Sequence, residues 1–452
     1  MDYNNDNPAT SGREDPASSG RGFLGGVSHS WRALRHRNFR LYFGGQTVSL
    51  IGTWMTRIAT SWLVYRLTGS ALLLGTVSFA GQIPTFIFAP FAGVWVDRLD
   101  RRQVLVWTQA LSMIQSLALA ALTLSGHITI PWILILAISQ GIINAFDMPG
   151  RQAFTVQMVE DRADLSNAIA INSSMVNVAR LVGPSLAGML IAATSEGWCF
   201  LVDGVSYIAV IASLLAMRIH QQQLRRETAS MWLELHEGWK YVSAFVPIRI
   251  ILSLFALVSL VGMPLVVLMP IEAAKVLHGG AHTLGFLMGA MGLGALISAL
   301  SLAARKTVRG LIRIIPIAAL LFGFGLIGFG LSRSLWLSLL MVMISGAGLM
   351  QVMAASNTII QTLTSEDMRG RVMSYYTMAF MGMAPFGSLM AGTMAHAFGV
   401  SWTMIINGAL ILLGAAWFIT QLPALRRTVK PIYQQLGIIP MTPDITVEQT
   451  QS

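Results

Sequence analysis

Five ionisable residues fall inside stretches that are otherwise apolar enough to cross a bilayer: Arg57, Asp147, Arg180, Asp203 and Glu272. A charge in hydrocarbon is costly, so each needs a partner, a proton or a cargo to account for it. Asp203 and Arg57 can pair if the first and sixth spans are neighbours, either as a static ion pair or as part of a proton path. Arg180 either faces an anionic substrate or balances Asp147. Glu272 closes the seventh span and is either solvated there or coupled to proton movement. The amides of Gln140 and Asn144 can contact a substrate without an ionisation cost.

Enzymatic chemistry would need acids, histidines or serines gathered near one face. The eight histidines (29, 36, 127, 220, 236, 278, 282 and 396) are scattered, and none stands at a recognisable spacing from an acid. No enzyme is expected. A single cysteine, Cys199, excludes an internal disulfide and a cysteine metal cluster. No Gly-rich phosphate loop with Lys and Ser or Thr appears, so ATP hydrolysis is not the drive. No metal and no cofactor are expected.

The elements that carry these residues are read from composition. The chain has 452 residues, 54% hydrophobic and 11% charged, against about 25% charged in a soluble domain. That points to an all-α membrane protein. Twelve spans of the length a bilayer needs are read at 41–65, 72–96, 103–125, 131–150, 165–194, 198–217, 249–272, 283–304, 312–332, 335–362, 369–396 and 401–421. They divide into two bundles of six, over 33–218 and 248–422, joined by a polar linker at 219–247. Residues 1–32 read as a disordered tail without a cleavable signal peptide, and 423–452 as a second tail. Most of the 30 Lys and Arg then lie on the side of the termini, against Arg66, Lys275 and Arg333 on the other. Positive loops are cytoplasmic, so both termini are expected there. The net charge of +10 is read the same way, not as nucleic-acid binding. Trp232, Leu235, Trp239 and Val242 make the linker an amphipathic helix, lying on the inner membrane surface or on the protein itself.

A shift of 204 positions lays Gln157, Gly183 and Gly188 on Gln361, Gly387 and Gly392. A repeat of this kind suggests two copies of one bundle with a binding seam between them. Pro184 and Pro385 accompany the glycines. The prolines bend their helices, and the glycines allow close packing against the other bundle, so Gly183, Pro184, Gly188, Pro385, Gly387 and Gly392 are candidate hinges.

Between spans two and three stands Gly93-Val94-Trp95-Val96-Asp97-Arg98-Leu99-Asp100-Arg101-Arg102. Here Gly93 permits close approach of a helix, and the charges of Asp97, Arg98, Arg101 and Arg102 can lock and release bundles through ion pairs and helix-end dipoles. The stretch resembles the loop signature of the major facilitator superfamily, departing from it at Asp100, where the family usually has Gly. The resemblance covers roughly residues 33–422. It implies that Asp147 joins the loop cluster by pairing with Arg101 or Arg102. The Gly-Pro pattern at Arg180–Gly188 is similar to the superfamily's fifth-helix signature, associated with proton-driven export. Span four has Ser139-Gln140-Gly141 but carries Ala137 where the family often has an arginine; Arg57 is the candidate replacement. Ala145–Phe154, with Ala33–Arg40 and Trp62–Tyr65, resembles the enterobactin-exporter-like branch of siderophore and drug exporters.

The resemblance implies a proton-driven exporter of a small amphipathic molecule in a bacterial inner membrane, working by alternating access, and a monomer is expected. A proton-coupled importer or facilitator on the same fold is the alternative, and an embedded enzyme or receptor the more distant one.

Overall fold

The computed structural model describes residues 32–159, 164–218, 231–305, 307–435 and 438. The expected N-terminal tail up to residue 31, Glu160 to Arg162 of the first polar turn, and linker residues 219–230 lie outside the described residues, as does nearly all of the chain after 435.

A 3-10 turn (Arg32–Arg35) leads into α1 (Arg37–Thr68), α2 (Ala71–Arg98), α3 (Arg101–Leu124), α4 (Ile130–Gln157), α5 (Leu165–Ala193) and α6 (Glu196–Ala216). Then α7 (Met231–Ala244) bridges to α8 (Val246–Gly262) and α9 (Pro264–Ile271), which continues as a π-helical turn over Glu272–Val276. The second half goes on through α10 (Ala281–Ala303), α11 (Leu311–Leu331), α12 (Leu335–Leu363) and α13 (Glu366–Thr377). After a π-helical turn at Met378–Gly382 come α14 (Met383–Phe398) and α15 (Val400–Gln435).

Eleven segments of the described chain are long and apolar enough to cross a membrane, with α8–α9 and α13–α14 each acting as one. The twelfth crossing is α1. It has 32 residues, but Gln46, Thr47, Ser49, Thr53, Thr56, Arg57, Thr60 and Ser61 dilute its apolar content. Of these, Thr53, Thr56, Arg57, Thr60 and Ser61 line the cavity described below. Around the outside, Trp132, Trp198, Trp336 and Trp402 stand exposed near the starts of their helices on the side away from the termini, as aromatic belts do at a membrane interface.

The pseudo-symmetry is visible in which helices touch. In the first half α1 packs on α5 and α6, α3 on α4 and α6, and α2 on α4. In the second half the counterparts repeat each pairing: α8 on α14 and α15, α11 on α12 and α15, and α10 on α12. Between the halves α5 packs on α10, and α2 on α14.

Two helices outrun their expected ends. Instead of yielding to a tail at 423, α15 runs to Gln435, because Leu425, Val429 and Tyr433 recur every fourth residue and are all buried. Similarly, α4 continues past Pro149 to Gln157, which draws Arg151 into the bundle.

The linker helix α7 settles on the protein. Its Gly238 lies against Arg371 and Tyr375 of α13, Glu237 pairs with Arg371 at 2.5 Å, and the Trp239 and Tyr375 rings lie 5.9 Å apart. Val242 is buried while Trp239 remains exposed.

Candidate substrate cavity

A cavity of about 380 Å³ lies between the two halves. It is walled by two chemistries. Among the described residues, every ionisable side chain lining the cavity comes from the first half, namely Arg57, Asp147, Arg151, Arg180, Asp203 and Tyr207, together with the amides Gln82, Gln109, Gln115, Gln140 and Asn144. The second half brings Met263, Met288, Met291, Met350 and Met353 with small and aliphatic residues. Met263 sits where Pro264, which has no N–H to give, separates α8 from α9.

Asp203 is held by close helix packing. A Cβ on Gly52 would stand 2.9 Å from the Asp203 Cα, so only a glycine lets α1 lie this near α6. One Asp203 carboxylate oxygen accepts from the Ser116 hydroxyl at 2.7 Å, the other from Thr53 at 3.4 Å. Thr53 lies in turn 3.4 Å from the Tyr207 hydroxyl. The expected pairing of Asp203 with Arg57 is therefore not formed, although α1 and α6 are neighbours. Hydroxyls occupy the carboxylate, and Arg57 turns instead to the Trp54 ring, with its Cζ 4.7 Å from the centroid. The Arg180 Cζ lies 5.2 Å from the same ring.

Asp147 also departs from expectation. It pairs not with Arg101 or Arg102 but with Arg151, one helical turn further along α4. Its other oxygen accepts from Thr108 at 2.9 Å and Gln109 at 2.7 Å. Arg180 therefore does not balance it. The pairing follows from the unbroken helix: residues four apart share a face. Gln140 donates to Ser112 at 3.2 Å and to Asn144 at 3.1 Å, and both amides line the cavity. Glu272 does not. It is fully buried, with one oxygen 3.4 Å from the Ser401 hydroxyl, and is neither solvated nor part of the cavity wall.

The family's sequence profile, described as transmembrane secretion effector, matches residues 28–434. The chain belongs to that family. This secretion-effector family member is a transporter of the major facilitator type, not an enzyme. It is similar to the staphyloferrin A transporter of Staphylococcus aureus (26% identical, 82% of this chain and 92% of the relative). It is likewise similar to the multidrug efflux pump Tap of Mycolicibacterium fortuitum (26% identical, covering 84% and 95%) and to macrolide efflux protein A of Streptococcus pyogenes (23%, covering 84% and 95%). Its fold matches a bacterial homolog of the human lysosomal transporter Spinster, inward-facing and occupied, with a TM-score of 0.68 at 14% identity, covering 89% and 98%. It also matches the nucleoside transporter NupG, with a TM-score of 0.67 at 14% identity, covering 86% and 99%.

In this transporter the repeated glycines divide into two kinds. Gly183 packs on Trp54 of α1 and Gly387 on Leu260 of α8, each inside its own half. The expectation that they face the other bundle is thus corrected. Gly188 meets Ala281 and Gly285 of α10, and Gly392 meets Ala71 and Gly75 of α2, both across the seam. These contacts close the seam on the side away from the termini, where Ser78 also donates to Ser388 at 3.2 Å. Pro385 follows the π-helical turn at Met378–Gly382, the kind of widening that accompanies kinks and functional sites.

The α2–α3 loop is organised differently from the expectation. Among the described residues nothing stands within 4 Å of where a Cβ on Gly93 would be, so the close approach expected there is not seen among them. Arg102 caps the end of α6, donating to the Leu214 and Leu215 carbonyls at 2.8 and 2.6 Å, a contact within one half. Asp100 takes the N-cap of α3 with φ −65° and accepts from the Arg102 and Gln103 amides at 2.9 and 3.3 Å. Its negative φ explains why the usual glycine is dispensable. The side chains of Asp97 and Arg98 lie outside the described residues.

Trp54, Arg151, Tyr207 and the amides of α3 were not among the candidate residues. The i, i+4 spacing from Asp147 to Arg151 was the available signal for Arg151, hidden by ending the span at Gly150.

Proposed function

We propose that this protein exports a small amphipathic molecule from the bacterial cytoplasm in exchange for protons, by alternating access, with both termini cytoplasmic. The observation that carries the reading is the cavity with one polar wall and one methionine wall, lying on the seam between two symmetric halves. Flexible thioethers tolerate varied apolar shapes, while the polar wall fixes orientation. The efflux proteins among its relatives favour export over import.

Asp203 is the proposed proton carrier. Among the described residues no cation lies within ion-pair distance of it, so its charge is not fixed by a partner, and hydroxyls can serve it in either protonation state. Asp147, tied to Arg151, is a structural charge in this scheme. The rocking step separates Gly188 from α10 and Gly392 from α2 while the seam closes at the Gly93 side. The protein acts as a monomer, since cavity and seam are complete in one chain.

The test is transport in reconstituted vesicles under imposed proton gradients of either sign. Export predicts that a labelled drug or siderophore moves against its own gradient only when protons flow the other way. Movement with the protons would establish the importer, and indifference to the gradient a facilitator.

A further inference from the structure

We propose that Arg57 and Arg180 form a receptor for the carboxylate of an organic anion, so that the cargo of this transporter is an acid with an apolar body. The inference specifies the cargo of the proposed transport function and rests on that reading for the word cargo.

Both guanidiniums lie over the Trp54 ring, and their Cζ atoms can be no further apart than 9.9 Å, the two ring distances end to end. Both line the cavity. Arg57 sits deep in the bundle with its side chain open to the cavity. The Arg180 Nε is enclosed and makes no hydrogen bond among the described residues. No ion pair forms on either guanidinium among the described residues.

The acids that could neutralise them are otherwise engaged. Asp147 pairs with Arg151, and Asp203, on the same cavity, is hydrogen-bonded to Ser116 and Thr53 rather than to either arginine. Glu196 is taken by Arg66 at 2.8 Å, and Glu272 is off the cavity. Two like charges are thus left facing one space inside a membrane protein. Such residues mark substrate pathways.

The guanidinium's planar fork matches a carboxylate in two parallel hydrogen bonds. Trp54 serves here to hold the cations. The apolar body of the ligand meets Met263, Met288, Met291, Met350 and Met353 across the cavity. A cationic cargo would have to displace this arrangement.

The experiment uses the purified full-length protein in detergent with no proton gradient, and the probes are 2-naphthoate and its uncharged isostere 2-naphthamide. Equilibrium binding is measured by calorimetry. The carboxylate should bind at least about tenfold more tightly than the amide, as expected for charge-assisted hydrogen bonds. Arg57→Gln and Arg180→Gln should each remove most of that difference, so that the ratio of carboxylate to amide affinity falls toward one in a protein that still melts cooperatively. Arg57→Lys should restore part of the difference. Equal binding of the two probes, discrimination that survives both Gln variants, or no carboxylate binding up to about 10 mM would each overturn the proposal. Because binding is read without a gradient, failure here leaves proton-driven transport standing, and failure of proton coupling leaves this result standing.

Discussion

A Cβ placed on Gly188 would stand 3.0 Å from the Cα of Gly285. Two helices from different halves of the chain therefore meet almost backbone to backbone, with no side chain between them. Gly392 does the same to α2, where its Cβ would come 3.0 Å from the Gly75 Cα.

These contacts predict a separation of effects. Gly188→Leu and Gly392→Leu should prevent closure on the side away from the termini and slow transport at least about tenfold, the shift given by 1.4 kcal/mol against the closed state. Gly183→Leu collides with Trp54 inside its own half and should instead lower the thermal midpoint. Transport rate and melting of the purified variants, measured side by side, check both. A Gly188→Leu protein that transports normally would remove the seam from the mechanism.

Asp203→Asn keeps the shape of the side chain and the Ser116 contact but cannot exchange a proton. Binding of a transported compound should survive, while accumulation driven by a proton gradient should be lost. Counterflow, the exchange of labelled for unlabelled compound without a gradient, should persist. Retention of gradient-driven accumulation would move the proton site elsewhere.

Asp147 and Arg151 should behave as a coupled pair. Replacing one leaves the other without its partner in a buried setting, so Asp147→Asn and Arg151→Gln should each cost about 1–3 kcal/mol. The double variant should cost less than the two together. Thermal denaturation of all four proteins closes the cycle, and simple additivity would mean the pair is not coupled.

Asp164 lies at the start of α5, outside the span, and is gripped by His36 at 3.0 Å, Arg35 at 2.8 Å and Arg32 at 3.5 Å. The His36 hydrogen bond, with Arg35 and Arg32, holds its carboxyl below the ordinary carboxylate range. A depressed folded value means the unfolded chain takes up the proton first. The stabilisation is therefore present above the unfolded value, about 3.9, and is lost as pH falls through the folded one. Asp164→Asn should melt at a lower temperature at neutral pH and converge on the parent protein in acid. Parallel melting curves at every pH would show that the cluster contributes nothing.

The fold was largely legible because a membrane span is a long uniform signal. Eleven spans and the glycine repeat follow from hydropathy and spacing, and α1 from its length despite its polar residues. The pairing of charges did not follow, since it depends on which face each helix turns inward. Asp203 and Arg57 are on touching helices, yet hydroxyls from α1 and α3 decide the outcome. Asp164 and His36 are 128 residues apart and share no pattern. The seam partners of the repeated glycines escaped for a simpler reason: Gly75 and Gly285 are separated by 210 positions rather than 204, so one shift cannot align both sets. Arg151 was lost to a span end drawn one residue too early.

The two walls of the cavity are also consecutive in the chain. Every ionisable lining residue precedes residue 208, and all five lining methionines follow residue 262. A crossover within the linker would hand on either wall whole. A chimera joining residues 1–218 to the second half of a macrolide exporter should inherit the head-group preference of this protein and the size tolerance of the other. Selectivity in such proteins can then diversify by recombination, one half at a time, without rebuilding a binding site residue by residue.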